Sequence, residues 1–359
     1  MLKVAVLGGG NGAHAAAADL TLRGFAVHLC EDQRFAANMK TVFDTKTIKT
    51  AGVLGEQAVP IAMVTSDLEE AVRDIRHIFV AVPAFAHKTY AEKLAAVIRP
   101  GQIICLLPGT FGSLILWDAF RKAGVTEDVV IAETHTLPYA ARLTAPGEIL
   151  VMSRFNSLKV GVLPASKTDE TVKELSQFYD GLEASESVIA CGLSSLNPII
   201  HVPGCILNAG RIEYAKGEFF FYTEGFTDCV VRTTEAVDRE RIALLKALGY
   251  DWDIVAHGIG GEVQTDDLHE AVAGNASFAK IKGPCQHQEP LLLGGYPIRH
   301  RSVGQAGETA WRGDPCDGFH GASGWNYPAT GLLDFGALHG GSGNCRDGAG
   351  TAEILFANR

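Results

Sequence analysis

An apolar run that breaks into a cluster of glycines and resumes as an alanine-rich segment leaves a chain few choices of fold, and residues 3–22 read that way. Lys3 to Leu7 has the length and character of a strand, Gly8-Gly9-Gly10-Asn11-Gly12-Ala13 follows, and helical spacing takes over beyond it. A strand that turns straight into a helix aims the helix's unpaired N–H groups and the positive end of its dipole at whatever rests on the turn. A pyrophosphate fits there. Gly8 is expected to make the tight turn, Gly10 and Asn11 to let phosphates approach bare backbone, and Ala13 to be the small residue where helix and strand pack closely.

A second apolar run, Phe25 to Cys30, ends in Glu31-Asp32, where a fold of this kind keeps the carboxylate that holds the adenosine ribose hydroxyls. Glu31 is the expected ribose contact. Arg34 is placed to meet a 2′-phosphate instead, so the cofactor expected is NAD or NADP. A glycine turn alone can be merely structural; the strand before it, the helix after it and the acidic end of the next strand favour the dinucleotide.

At 359 residues, 47% hydrophobic and 20% charged, the chain is long enough for two domains with sizeable cores. The formal charge of −10 argues against a nucleic-acid partner, because phosphate backbones are bound by basic surfaces. No apolar run is expected to span a bilayer, which takes about 18 residues or more. The glycine cluster also interrupts what would otherwise resemble a secretion signal, so a cytoplasmic protein is expected. Its 8 cysteines are scattered without a CxxC pair, which fits reduced thiols better than a disulfide frame or a metal site.

Further along, Ile78 to Val82 is a continuous apolar strand ending at Pro83, which is expected to shape the nicotinamide side; His87 reads as a helix-start surface residue or a ligand contact. Gln102 to Leu107 and Asp128 to Ala132 are further strands. The fold class expected is α/β: a Rossmann-type doubly wound parallel sheet over residues 1–185, followed by an all-helical domain over residues 186–284. Glu133, Tyr139 and Arg142 fall where ligands bind, at the carboxyl edge of the sheet; Glu133 is suited to a cationic substrate group and Arg142 to a carboxylate, unless the two pair with each other. In the apolar stretch around His201, the imidazole is either a core residue or a catalyst, and Asn197 one turn earlier shares its helix face.

Taken together, GGGNGAH, VPAFAH, LLPGTFGS, ETHTLPYAAR, NPIIHVPGCILNAGRIE, YTEG and VDRERIALLKALG resemble the octopine and nopaline type opine dehydrogenases over about residues 1–284. The resemblance implies an enzyme that uses a reduced nicotinamide cofactor to join the amino group of an L-amino acid to a 2-keto acid through an imine. It implies His201 as the general acid or base and Asn197 as its active-site neighbour. Small-molecule substrates are the expected partners, with a homodimer as the candidate assembly. A nucleotide-binding protein without turnover and a hydroxy-acid dehydrogenase that needs no amine are the competing functions.

Beyond Lys282-Gly283-Pro284 the character of the chain changes. More than a third of the 40 glycines lie there, without sustained helical or strand periodicity. The family would continue with a segment resembling GPxNIxNRYxxEDIPYGLVP, whose Arg binds substrate carboxylate and whose Asp partners the catalytic histidine. Back-translating the printed residues from Pro284 and reading one base out of phase permits P-A-N-I-K-N-R-Y-F-S-E-D-I-P-Y-G, so residues 285–359 are expected to be the product of a one-nucleotide insertion. A divergent tail, or a metal site built on Cys285, His287, His300, Cys316, His320 and Cys345, are the alternatives; the spacings match no standard site. Resequencing the coding DNA across codons 280–290 is expected to remove one base and restore the Arg and Asp; an unchanged read would leave the tail as printed.

Overall fold

The computed structural model describes residues 1–125, 128–259, 263, 265–276, 278–279 and 281–284; the tail discussed above lies outside them. The chain opens with β1 (Lys3–Leu7), α1 (Asn11–Leu22) and β2 (Ala26–Cys30), then α2 (Lys40–Thr45), β3 (Thr47–Gly52), β4 (Gln57–Pro60), β5 (Met63–Thr65) and α3 (Leu68–Val72). Next come β6 (His77–Val80), α4 (His87–Ala95), β7 (Ile103–Leu106), α5 (Gly112–Lys122), β8 (Val130–Thr134), β9 (Tyr139–Ala145), β10 (Glu148–Arg154), β11 (Leu158–Leu163), α6 (Thr168–Leu175) and β12 (Leu182–Ala184).

Eight strands form one sheet in the order β12-β11-β8-β7-β6-β1-β2-β5. From β5 to β8 neighbours run parallel, and β11 turns antiparallel to β8. Continuous apolar runs make these strands because both faces are covered: Val4–Leu7 and Ile78–Val80 are all 0% exposed. The order reverses between β1 and β6, since β1 goes on to β2 on one side while β6, β7 and β8 build out on the other. The crevice at such a reversal, beyond the carboxyl ends of the strands, is where open α/β sheets take ligands.

A second, four-stranded sheet in the order β4-β3-β10-β9 was not expected. β3 and β4 join β9 and β10, whereas β5 and β11 go to the main sheet. This second sheet covers α1, which explains the helix's alanines. Ala15, Ala16, Ala17 and Ala18 are fully buried, because only small side chains let a helix sit between two sheets. Asp19, buried on the same helix, accepts hydrogen bonds from Tyr139 Oη (2.9 Å), Arg154 Nη2 and Arg23 Nε (3.3 Å), so β9 and β10 are pinned to α1 through one carboxylate.

From residue 188 onward the described elements are helical: α7 (Val188–Leu193), α8 (Asn197–Leu207), α9 (Ala209–Ala215), α10 (Phe221–Gly225), α11 (Asp228–Ala247), α12 (Val255–Ile259) and α13 (Leu268–Gly274). They enclose a second core that includes Ile199, Ile200, Phe221, Phe226, Val230 and Leu268. Contrary to the sequence expectation, Val188–Leu207 is long and apolar enough to cross a membrane by length and composition, at a mean hydropathy of 1.4. The chain breaks it at residues 194–196 between α7 and α8, and half of it is buried inside the protein.

The VDRERIALLKALG segment supplies the clamp of this helical part. Asp238 and Arg241, 5% and 3% exposed at their side chains, pair at 2.7 Å. Arg241 also donates to the carbonyls of Asp253 (2.6 Å) and Leu193 (3.3 Å), and Asp238 accepts the Val255 N–H at 2.7 Å. Removing one partner strands the other charge in the interior, so Arg241→Met is expected to lose about 3–5 kcal/mol of stability, read as a lowered urea midpoint. A shift below about 1 kcal/mol, the size of an exposed pair, would show that water reaches Asp238.

Candidate active site

The turn after β1 is built for close approach. Gly8 has φ +121°, and a Cβ there would stand 2.5 Å from the Ala81 carbonyl oxygen at the end of β6. A Cβ on Gly9 would meet Glu31 Oε2 at 2.3 Å and Met39 Sδ at 2.4 Å. Gly10 precedes α1 in extended geometry, with no side-chain cap and no acidic residue in the first turn. The first N–H groups of α1 are therefore not claimed by a capping side chain and suit the phosphates of a dinucleotide. Ala13, fully buried, packs as expected.

The side chain of Asn11 is engaged away from the turn: Oδ1 accepts the Leu143 N–H of β9 at 2.7 Å. Glu31 sits at the end of β2, 9% exposed, its Oε1 accepting from Asp32 N–H (2.7 Å) and Tyr90 Oη (3.2 Å); burial raises its pKa. Arg34 forks onto Asp32 through Nε (3.0 Å) and Nη2 (2.9 Å). Half-buried Pro83 follows β6 at the reversal point.

His87 is not on the surface. It is 1% exposed, packed where a Cβ on Gly112 would lie 2.4 Å from Nδ1. Burial lowers its pKa to about 4. A helix start with a neighbouring glycine gives room for an imidazole to be enclosed, which the sequence pattern did not reveal.

Glu133 is not a substrate contact. It is 0% exposed, and its carboxylate accepts the N–H groups of Phe111 (3.1 Å) and Ser113 (2.9 Å), capping the start of α5. The loop it holds carries two consecutive residues in left-handed geometry, Thr110 (φ 48°) and Phe111 (φ 65°). Tyr139 is also corrected: it is 3% exposed and spends its hydroxyl on Asp19. Arg142 is exposed on β9, and no ion pair joins it to Glu133 among the described residues.

In the helical part, Asn197 opens α8 and His201 follows one turn later, both half-buried. His201 Nε2 lies 2.7 Å from Tyr222 Oη. Tyr222 is stacked between Phe226 (5.5 Å, 26°) and Phe278 (4.3 Å, 18°), which fixes its hydroxyl. Burial lowers the His201 pKa to about 4 and raises that of Tyr222, so a neutral imidazole faces a neutral phenol at neutral pH. Tyr222 was missed as a site residue, although YTEG stood out as a motif; nothing local in that motif signals which histidine its hydroxyl will reach.

A glycine turn at the reversal point of a parallel sheet, a carboxylate at the end of β2 and a helical part carrying a half-buried imidazole define an NAD(P)-dependent oxidoreductase. Residues 184–303 match the family model of the NAD/NADP octopine/nopaline dehydrogenase α-helical domain, and residues 3–109 that of the NAD-dependent glycerol-3-phosphate dehydrogenase N-terminus. The chain is 33% identical over 285 residues to an opine dehydrogenase of Arthrobacter sp. (strain 1C), covering 78% of each chain. It is 24% identical over 254 residues to a vitopine synthase of Allorhizobium ampelinum, covering 70% of this chain and 69% of that one. Its fold resembles an octopine dehydrogenase solved with NADH and agmatine (TM-score 0.62, 21% identity, 79% and 76% coverage) and a yersinopine dehydrogenase with NADP+ bound (TM-score 0.63, 14% identity, 79% of each chain). The chain belongs to the opine dehydrogenase family.

His14 and His87, both buried and both lowered to about 4, give a pH signature. They stay neutral in the fold but bind protons in the unfolded chain below the ordinary value of 6.5, so stability is fully present above 6.5 and falls as the pH drops toward 4. His87→Phe is expected to flatten the fall between pH 6 and 5 by up to ~1.4 kcal/mol per pH unit, read from urea midpoints. An unaltered slope would mean that His87 takes up its proton while folded.

Proposed function

We propose that this chain carries out the reductive condensation of an L-amino acid with a 2-keto acid, and its oxidative reverse. The nucleotide domain spans residues 1–185, the substrate domain 186–284, and residues 285–359 are the shifted reading of a segment that completes the site. The reduced nicotinamide, when bound, supplies the hydride that reaches the imine carbon. The chain's own residues hold it and handle protons: backbone at Gly8, Gly10 and Asn11 takes the pyrophosphate, Glu31 the ribose, and Pro83 borders the nicotinamide.

The half-buried imidazole of His201, held 2.7 Å from Tyr222 on the helix face it shares with Asn197, carries this reading: it is uncharged at neutral pH, and a carboxylate partner from the restored frame would raise its pKa from about 4 toward the working range, where it can take up and return the substrate's proton. Tyr222 holds Nε2 and fixes the ring's orientation. Asn197, one turn away on α8, is positioned to hydrogen-bond the same substrate. The Arg and Asp of the restored frame bind the substrate carboxylate and partner His201. A hydroxy-acid dehydrogenase would oxidise NADH with the keto acid alone.

With the frame restored, NADH oxidation is expected to require both a 2-keto acid and an L-amino acid, and His201→Ala to lower kcat by roughly 10²–10⁴ with cofactor binding kept. The printed chain is expected to bind cofactor with little turnover. Turnover independent of the amine, or unchanged by His201→Ala, would remove the proposed mechanism.

A further inference from the structure

Two cations stand beside the ribose carboxylate, and both are tied to one acid. Asp32 follows Glu31 and is 6% exposed. Its Oδ1 accepts Arg34 N–H and Nε, each at 3.0 Å, while Oδ2 accepts Arg34 Nη2 at 2.9 Å and the Nζ of Lys93. Lys93 reaches it from α4, three residues after the Tyr90 that binds Glu31. The side chains of Arg34 and Lys93 are 61% and 45% exposed, against 2% for Asp32. The charges that a phosphate on the adenosine ribose would need are thus present at the surface but held at a buried carboxylate.

Resting on the dinucleotide reading above, we propose that Asp32 determines cofactor selectivity: it withholds Arg34 and Lys93 from a 2′-phosphate and, with Glu31 beside it, makes the site select NADH over NADPH. The geometry opposes NADPH twice. A 2′-phosphate arriving near Glu31 Oε2 meets a like charge in a poorly hydrated place, and the cations that would offset it can turn toward the phosphate only by leaving Asp32 unpaired. Hydrogen bonding from Arg34 holds Asp32 well below the usual carboxylate range, so the acid remains ionised at working pH. NADH asks nothing of Arg34 or Lys93, and the arrangement leaves its binding alone.

The test is a fluorescence titration of the full-length protein with NADH and with NADPH, which needs no turnover. Wild type is expected to bind NADH at least about tenfold tighter, the equivalent of one charge-assisted hydrogen bond. Asp32→Asn, close in shape but uncharged, is expected to tighten NADPH by about tenfold, with NADH nearly unchanged and the NADPH gain fading in high salt. Arg34→Ala in the Asp32→Asn background is expected to abolish the gain. Equal wild-type affinities, or an Asp32→Asn protein of native circular dichroism with no gain for NADPH, would overturn the proposal. Binding of neither dinucleotide by wild type would overturn the dinucleotide reading itself.

Discussion

The lack of space between the turn after β1 and the end of β6 governs the rest of the nucleotide-binding half. At Gly8 and Gly9 the neighbouring carbonyl, carboxylate and thioether already occupy the places where side chains would begin. Backbone must therefore face the ligand there, and the start of α1 must stand directly behind it. A helix so close to the sheet, and then covered on its other side, can carry only small residues, which is what the alanines of α1 provide. Its one buried acid, Asp19, is tolerated because three donors from α1, β9 and β10 converge on it.

The main sheet was legible in the sequence because its strands are buried on both faces and read as unbroken apolar runs bounded by glycine and proline. The second sheet was not, because its strands are half exposed and its two local pairs, β3 with β4 and β9 with β10, are joined by a pairing of strands far apart in the chain. The site divides in the same way. Gly8, Ala13 and Glu31 lie where strand, turn and helix dictate, since their positions follow from local sequence. Glu133 and Tyr139 read as polar residues at a ligand-binding edge, but each is taken up by internal donors or acceptors. A carboxylate that caps a helix and one that meets a substrate have the same signature until the loop's shape is known.

Glu133 shows why that shape was hidden. The loop after β7 adopts left-handed geometry at Thr110 and Phe111, residues that carry no such preference, and the two N–H bonds to Glu133 are what compensate. The Phe111 ring then lies 2.4 Å from where a Cβ on Gly192 would be, so this loop packs against α7, the helix immediately before the one bearing Asn197 and His201. Cys191 on α7 also donates to the Glu133 carbonyl. One buried acid thus joins the sheet's edge to the start of the helical part.

The pairing of β3 with β10 has a bearing on how the chain reaches this state. Lys49 and Glu148 meet across that ladder although 99 residues separate them, and the pair runs parallel, so no short turn brings the strands together. The covering of α1 is therefore a late event: β1, α1 and β2 can assemble from neighbouring sequence, but α1 keeps one face unsheltered until β9 and β10 have been made and folded back. On a ribosome the first third of the protein would emerge before the β9 and β10 part of the cover over its alanine helix exists.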